Sequence, residues 1–281
     1  MKIINTHCHL IEIEKALDTK SGNLELIKKI PSVEKAEEII PFVTTTEILR
    51  QMDEAGIQQT VLFALICPVL YASNEFVYSI CKKYPDRFIG FASVNPHEKN
   101  AVKILEKAII NYNFKGIKFH PPLQNFYPNN AMLFPFYELA IKHNIPIVFH
   151  IGSTPFGNLT LLKQADPVLL DEVAVQFPDL KIILTHLGTL WSNEAFMVAE
   201  KNPNVYIDTA AYPYEIKELL TKKTIERVGE DKFIFGTDFP MPYEGKLHKM
   251  KDFVECINEL EITTIQKEKI YYKNFQKLIT S

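Results

Sequence analysis

The 281-residue sequence predicts a single (β/α)8 barrel, and three observations lead there. Eight short β-branched or aromatic runs recur along the chain, separated by longer stretches with helical apolar spacing. Several of these runs, Ile182-Ile183-Leu184 and Thr60–Leu65 among them, are almost continuously apolar. Strands buried on both faces read that way, which points to a parallel sheet covered by helices. Eight strand–helix units in 281 residues fit one closed α/β barrel, a TIM barrel, better than an open sheet.

In chain order the strands are expected at Lys2–Leu10, Gln59–Leu65, Phe88–Asn95, Lys115–His120, Pro146–Ile151, Lys181–Leu187, Asn204–Ala210 and Lys232–Asp238. After the third strand Asn95 can cap a helix, with Pro96 at its first position and Glu98 three residues past the cap. Ala101, Ile104, Leu105, Ala108 and Ile109 then follow at helical spacing. Further helices are expected over 44–55, 73–84, 131–143, 160–176, 190–202, 214–228, 246–260 and 263–279. The first connection breaks the rhythm, because 48 residues separate strands one and two. Residues 11–43 therefore read as a helical insertion over the barrel mouth. No repeat, low-complexity tract or linker interrupts residues 1–281, which are expected to form one domain.

Composition narrows the function classes. The chain is 47% hydrophobic and 23% charged, a balance ordinary for a globular enzyme that argues against a disordered chain. A net charge of −3 gives no basic field for nucleic acid or an acidic membrane face. Cysteines 8, 67, 81 and 256 lack paired spacing and read as reduced thiols. No charged leader opens the sequence, and no apolar run approaches the roughly 18 residues of a membrane helix, so a cytoplasmic protein is expected.

Chemistry collects at the strand ends. His7 and His9, two apart in Asn5–Leu10, put both imidazoles on one face of the first strand. His150 closes the fifth strand, His186 the sixth, and Asp238 the eighth in Gly236-Thr237-Asp238-Phe239-Pro240. Lys118 and His120 stand near the end of the fourth. Each follows an apolar run and is expected at the C-terminal mouth, where barrel sites are built. Imidazoles with one carboxylate suit zinc, manganese or iron(II), leaving a position for water. His97, His143 and His248 lie in polar helical surroundings and read as surface histidines. Trp191 is expected either against substrate or in the core. Asp208 in Tyr206-Ile207-Asp208-Thr209 is expected to hydrogen-bond structurally, and Tyr271, Tyr272 and Phe275 to pack a helix on the barrel.

The order His-x-His, His, His, Asp resembles the amidohydrolase superfamily, and within it the amidohydrolase-related branch of aminocarboxymuconate-semialdehyde decarboxylase. Asn5–Leu10, Gly116–Pro122, Pro146–Gly152, Thr185–Gly188, Asn204–Thr209 and Phe235–Pro240 carry the match over almost the whole chain. The resemblance implies that His7, His9, His150 and Asp238 hold one divalent ion, zinc ahead of Mn2+ or Fe2+. It makes His186 the unliganded catalytic histidine and Asp238 the proton carrier, and it implies a homodimer. Lys118 resembles the carboxylated lysine that bridges two metals in dihydroorotases, so a two-metal site with His186 as ligand stays open. Otherwise Lys118, with His120 beside it, contacts substrate.

Three functions follow. Hydrolysis of a small carboxylate-bearing lactone, amide or ester by a metal-activated water stands first. Non-oxidative decarboxylation of a small unsaturated or aromatic acid stands second. A barrel that binds a metal or ligand without catalysis stands third. Decarboxylation ranks below hydrolysis partly because the chain has only three arginines, Arg50, Arg87 and Arg227; Arg50 near the insertion is the first-choice carboxylate clamp, with Lys118 second.

Overall fold

Eight parallel strands form the frame: β1 (Ile4–His9), β2 (Gln59–Phe63), β3 (Phe88–Phe91), β4 (Ile117–Phe119), β5 (Ile147–Phe149), β6 (Ile182–Leu184), β7 (Val205–Asp208) and β8 (Phe233–Ile234). The computed structural model describes residues 1–12, 42–68, 70–154, 156–240, 242–243 and 246–280. β1–β3 hydrogen-bond in order as one sheet, and β4–β8 as another. Two parallel bridges join them, Ala92 with Ile117 between β3 and β4, and Cys8 with Phe239 between β1 and the segment after β8. The ring of strands closes as a TIM barrel.

All eight expected strands are present, but each is shorter than its apolar run. β4, β5 and β6 keep three residues each and β8 two. His120, His150, His186 and Asp238 thus stand just past the ladders, on loops that a rigid scaffold presents at the mouth.

The outer helices are α1 (Thr45–Ala55), α2 (Asn74–Lys83), α3 (Ala101–Tyr112), α4 (Phe134–Lys142), α5 (Val168–Gln176), α6 (Ser192–Lys201), α7 (Pro213–Leu219), α8 (Lys222–Val228), α9 (Met250–Glu259), α10 (Thr264–Glu268) and α11 (Asn274–Thr280). Thr44 caps α1 by accepting from Glu47 N, and Gly56 ends it at φ +68°. α3 begins at Ala101, not at Pro96. The Asn95 side chain takes the His97 N–H in an Asx turn instead of capping a helix. The expected 214–228 helix divides into α7 and α8 because the Thr221 hydroxyl accepts from Thr224 N and caps afresh. Over 160–176 the helix proper starts only after Pro167. The expected 263–279 helix is interrupted by a π-turn at Lys269–Lys273.

The barrel interior below the mouth is filled by Ile4, Val61, Phe63, Phe91, Val148, Ile183 and Ile234, with Phe275 and Leu278 of α11 packed against them. Each such side chain contributes about 1.5–3 kcal/mol by leaving water. A larger apolar layer lies between strands and helices and includes Tyr271. Among the described residues no helix is long and apolar enough to cross a membrane. Residues 13–41, most of the expected insertion, lie outside the described residues.

Candidate metal centre

A register irregularity between Asn5 and Cys8 lets His7 share the barrel interior with Ile4 despite their odd spacing; His7 is fully buried, and His9 follows two residues on toward the mouth. Asn5 and Thr237 fix this strand against the segment carrying Asp238. Asn5 Nδ2 donates to Thr237 Oγ1 at 3.0 Å, and Thr237 N donates to Asn5 Oδ1 at 3.0 Å. His7 Nε2 and His9 Nε2 then lie 3.2 and 3.1 Å from Asp238 Oδ1, and 3.2 Å from each other. His7, His186 and Asp238 offer ligand atoms that all fall within 4.8 Å of one another. His150 meets the group through His186, with His150 Nδ1 and His186 Nε2 3.0 Å apart.

The tautomers follow from the outer partners. His7 Nδ1–H donates to Asp208 Oδ2 at 2.6 Å, which leaves Nε2 as a bare lone pair. His186 Nδ1–H donates to Ala210 O at 2.7 Å, and His150 Nε2–H to Ser153 O at 3.0 Å. His186 Nε2 and His150 Nδ1 therefore face each other as two lone pairs. Electron-rich donors packed this closely repel unless a cation or shared proton lies between them, so the residues present fit a divalent ion.

Electrostatics agree. Burial holds His9 and His150 below the ordinary imidazole value and takes His186 down to about 4, so all three are neutral at pH 7. Burial and Lys118 also pull His7 down, but the Asp208 and Asp238 carboxylates outweigh them and raise it. Burial opposes ionisation of Asp238, yet the facing histidines hold its carboxyl well below the usual range. Its side chain is 23% exposed, open toward the mouth.

His186 is held in an unfavourable backbone conformation, φ +60°, followed by Leu187 at φ +49°. Left-handed non-glycine residues cost on the order of 1–3 kcal/mol each and persist where their surroundings over-determine them. Asp208 does so here, since Oδ1 accepts from His186 N at 2.7 Å and from Ala210 N at 3.1 Å. One buried carboxylate thus orients His7 and fixes the loop of His186, the structural role expected from sequence.

The other expected site residues divide. Lys118 is buried inside the barrel with its Nζ 4.8 Å from the Phe63 ring centroid, and burial lowers its ammonium to about 8. His120 stacks face to face on His150, centroids 3.9 Å apart, while its Nδ1 accepts from Leu123 N. Only its Nε2 can face the pocket. Arg50 is a correction. It is exposed on α1 and pairs with Glu47 and Glu54 of the same helix, so it is no carboxylate clamp. Trp191 is half-buried before α6 and makes no ring contact with the site histidines. Sequence reasoning missed Phe63, whose ring lies 4.8 Å from that of His7 and 5.5 Å from that of His9. Its shared strand parity with Val61 was the available signal.

The amidohydrolase family model matches residues 4–279. The chain belongs to the amidohydrolase family. The family match supports an enzyme over a non-catalytic binding barrel. Three solved structures share the fold. An uncharacterised TIM-barrel protein of Bordetella bronchiseptica is 22% identical with a TM-score of 0.74, over 99% of this chain and 98% of its own. A 2,6-dihydroxybenzoate decarboxylase, solved with 2,6-dihydroxybenzoate, is 17% identical at a TM-score of 0.75, with all of both chains covered. A 5-carboxyvanillate decarboxylase of Novosphingobium aromaticivorans, solved with manganese and 4-hydroxy-3-methoxy-5-nitrobenzoic acid, is 17% identical at 0.74, over 100% and 96%.

Proposed function

We propose that this amidohydrolase-family protein is a metal-dependent carboxy-lyase of a small aromatic or unsaturated acid. His7, His9, His150 and Asp238 are the residues assigned to one divalent ion, with His186 beside it. The observation that carries the reading is Lys118, a buried ammonium inside the ring of donors without a hydrogen-bond partner among the described residues. A scarcity of cations had favoured hydrolysis. Lys118, the second clamp candidate, supports the decarboxylase reading as a buried cation for the substrate acid, which weakens that objection. The two aromatic-acid decarboxylases that share the fold support the same choice.

A divalent ion in this donor set supplies Lewis-acid polarisation of a substrate oxygen. The chain's own residues do the rest. His186, neutral and with Nδ1–H committed to Ala210 O, presents Nε2 as an acceptor for a substrate hydroxyl proton. Asp238, partly open to solvent, relays one proton from bulk solvent to the carbon that bears the carboxylate, and the proton held on His186 returns to the substrate oxygen as product forms, so one solvent proton is consumed per CO2. A C–H bond forms, the C–C bond to the carboxylate breaks, its electron pair returns to the unsaturated system, and CO2 leaves. Phe63 and the apolar interior keep bulk water from that carbon.

The second reading is hydrolysis of a lactone, amide or ester by a metal-activated water, for which the same donors serve. The test is CO2 release from hydroxybenzoates and enoic acids by protein loaded with Mn2+ or Zn2+, run beside a lactone and amide panel. CO2 from at least one acid is expected. Ring opening or amide cleavage without CO2 from any acid establishes hydrolysis instead.

A further inference from the structure

We propose that Lys118 and Ser93 form a carboxylate-recognition subsite on the β3–β4 side of the pocket. The assignment deepens the carboxy-lyase reading and rests on it for the identity of the bound acid. Ala92 and Ile117 pair across the two strands, and both face the outer apolar layer. The next residue on each strand, Ser93 and Lys118, therefore faces the barrel interior, and the two are neighbours. Gly116 confirms the parity, because a side chain there would collide with the inward Phe91 ring.

Both side chains are buried, Ser93 at 0% and Lys118 at 1% exposure, and among the described residues neither Ser93 Oγ nor Lys118 Nζ has a hydrogen-bond partner. A buried ammonium without a partner is costly, and a hydroxyl orphaned beside it adds to the cost. The pair is held, not adventitious. Asn74 clamps the Ser93 backbone, accepting from Ser93 N at 3.0 Å and donating to Ser93 O at 2.8 Å. The ring face of Phe63 gives Lys118 a partial cation–π contact but leaves its three N–H donors unused. A carboxylate satisfies the set, one oxygen accepting from Lys118 Nζ and the other from Ser93 Oγ.

Charge favours a carboxylate over a phosphate. Asp208 and Asp238 bring two negative charges, Lys118 brings one positive, and the imidazoles at a filled metal site are neutral. With a divalent ion held by those donors the pocket carries one net positive charge, which a single carboxylate cancels. A phosphate dianion leaves the buried site negative.

The test is calorimetric titration of metal-loaded protein with benzoate, benzamide and inorganic phosphate. Benzoate is expected to bind, and phosphate not to compete with it. Lys118→Met should weaken benzoate at least tenfold and Ser93→Ala at least threefold, with metal content per chain and benzamide affinity unchanged. The serine variant keeps the test open if the lysine variant fails to fold. The subsite is overturned if wild type does not bind benzoate, if both variants bind it as wild type does, or if phosphate competes equally. Loss of metal from Lys118→Met also overturns it, in favour of a metal-bridging lysine. Failure of the carboxy-lyase reading shows separately, as benzoate binding that depends on Lys118 in a protein that releases no CO2.

Discussion

His7 Nδ1 and Asp208 Oδ2 lie 2.6 Å apart, both buried, and this contact decides which nitrogen of His7 faces the pocket. An aspartate can only accept, so Nδ1 keeps its proton and Nε2 offers a lone pair. Asp208→Asn keeps the volume but presents an NH2 or a weaker acceptor. We expect metal affinity to fall about 10–100-fold, read by competition with a chromophoric chelator. Circular dichroism should show the fold unchanged. Unaltered metal affinity would show that His7 needs no orienting carboxylate.

Asp238→Asn should be more severe for turnover than for folding. Among the described residues it is the one carboxylate that touches both His7 and His9, and its side chain is partly exposed. An amide cannot carry the proton, and positioned acid–base groups contribute roughly 10²–10⁴-fold. We expect CO2 release to drop by at least that lower figure while circular dichroism shows the fold retained. Residual activity near wild type would move proton delivery to His186.

Metal removal should destabilise the protein measurably. Ligands that bind only the folded state stabilise it by mass action, about 2.7 kcal/mol when free ligand is 100 times its Kd. For a chain of this size that is roughly a 5 °C rise in melting temperature. Dialysis against chelator should lower the melting temperature by about this much, and Mn2+ or Zn2+ should restore it. Identical melting curves with and without metal argue that the donor set holds no ion in solution.

Much of this was legible because strand ends are chemically abrupt. Phe149 is apolar and His150 is not, and the same switch marks Leu184 to His186 and Phe235 to Asp238. Those switches place donors at the barrel mouth whatever the loops do. The Thr185–Gly188 motif was readable for a related reason. Gly188 sits at φ +70° with Ala195 Cβ only 2.4 Å from where its own Cβ would stand. Arg50 misled because charge alone does not tell which carboxylates lie one helical turn away, and Glu47 and Glu54 are both within reach on α1. Ser93 carried no local signal. Its importance comes from register with Lys118, a long-range pairing that periodicity does not encode. Helix breaks such as Leu220-Thr221 were lost because capping by Thr221 competes with an otherwise continuous apolar pattern.

The cysteines allow a prediction away from the metal donors. Cys8, Cys67 and Cys256 are buried and Cys81 is half-buried, and all four are free thiols. Burial pushes Cys81 up to about 12 and Cys256 to about 11. It raises Cys8 and Cys67 too, with Asp238 adding to the rise at Cys8 and Lys118 opposing it at Cys67. A thiol reacts as its thiolate, so at pH 8 the folded protein should be nearly inert to a thiol-specific disulfide reagent. In guanidinium, four thiols per chain should react at once. The sign for stability follows from the same shifts. Above the ordinary thiol value of 9.0 the unfolded chain loses these protons while the folded chain keeps them. The contribution is therefore complete below pH 9.0 and is lost as pH rises toward the folded values. Melting temperature should fall as pH rises from 9 to 11, and replacing Cys81 and Cys256 together by Ala should make that fall shallower. Rapid reaction of all four thiols in native protein at pH 8 would mean that the barrel opens far more readily than its packing implies.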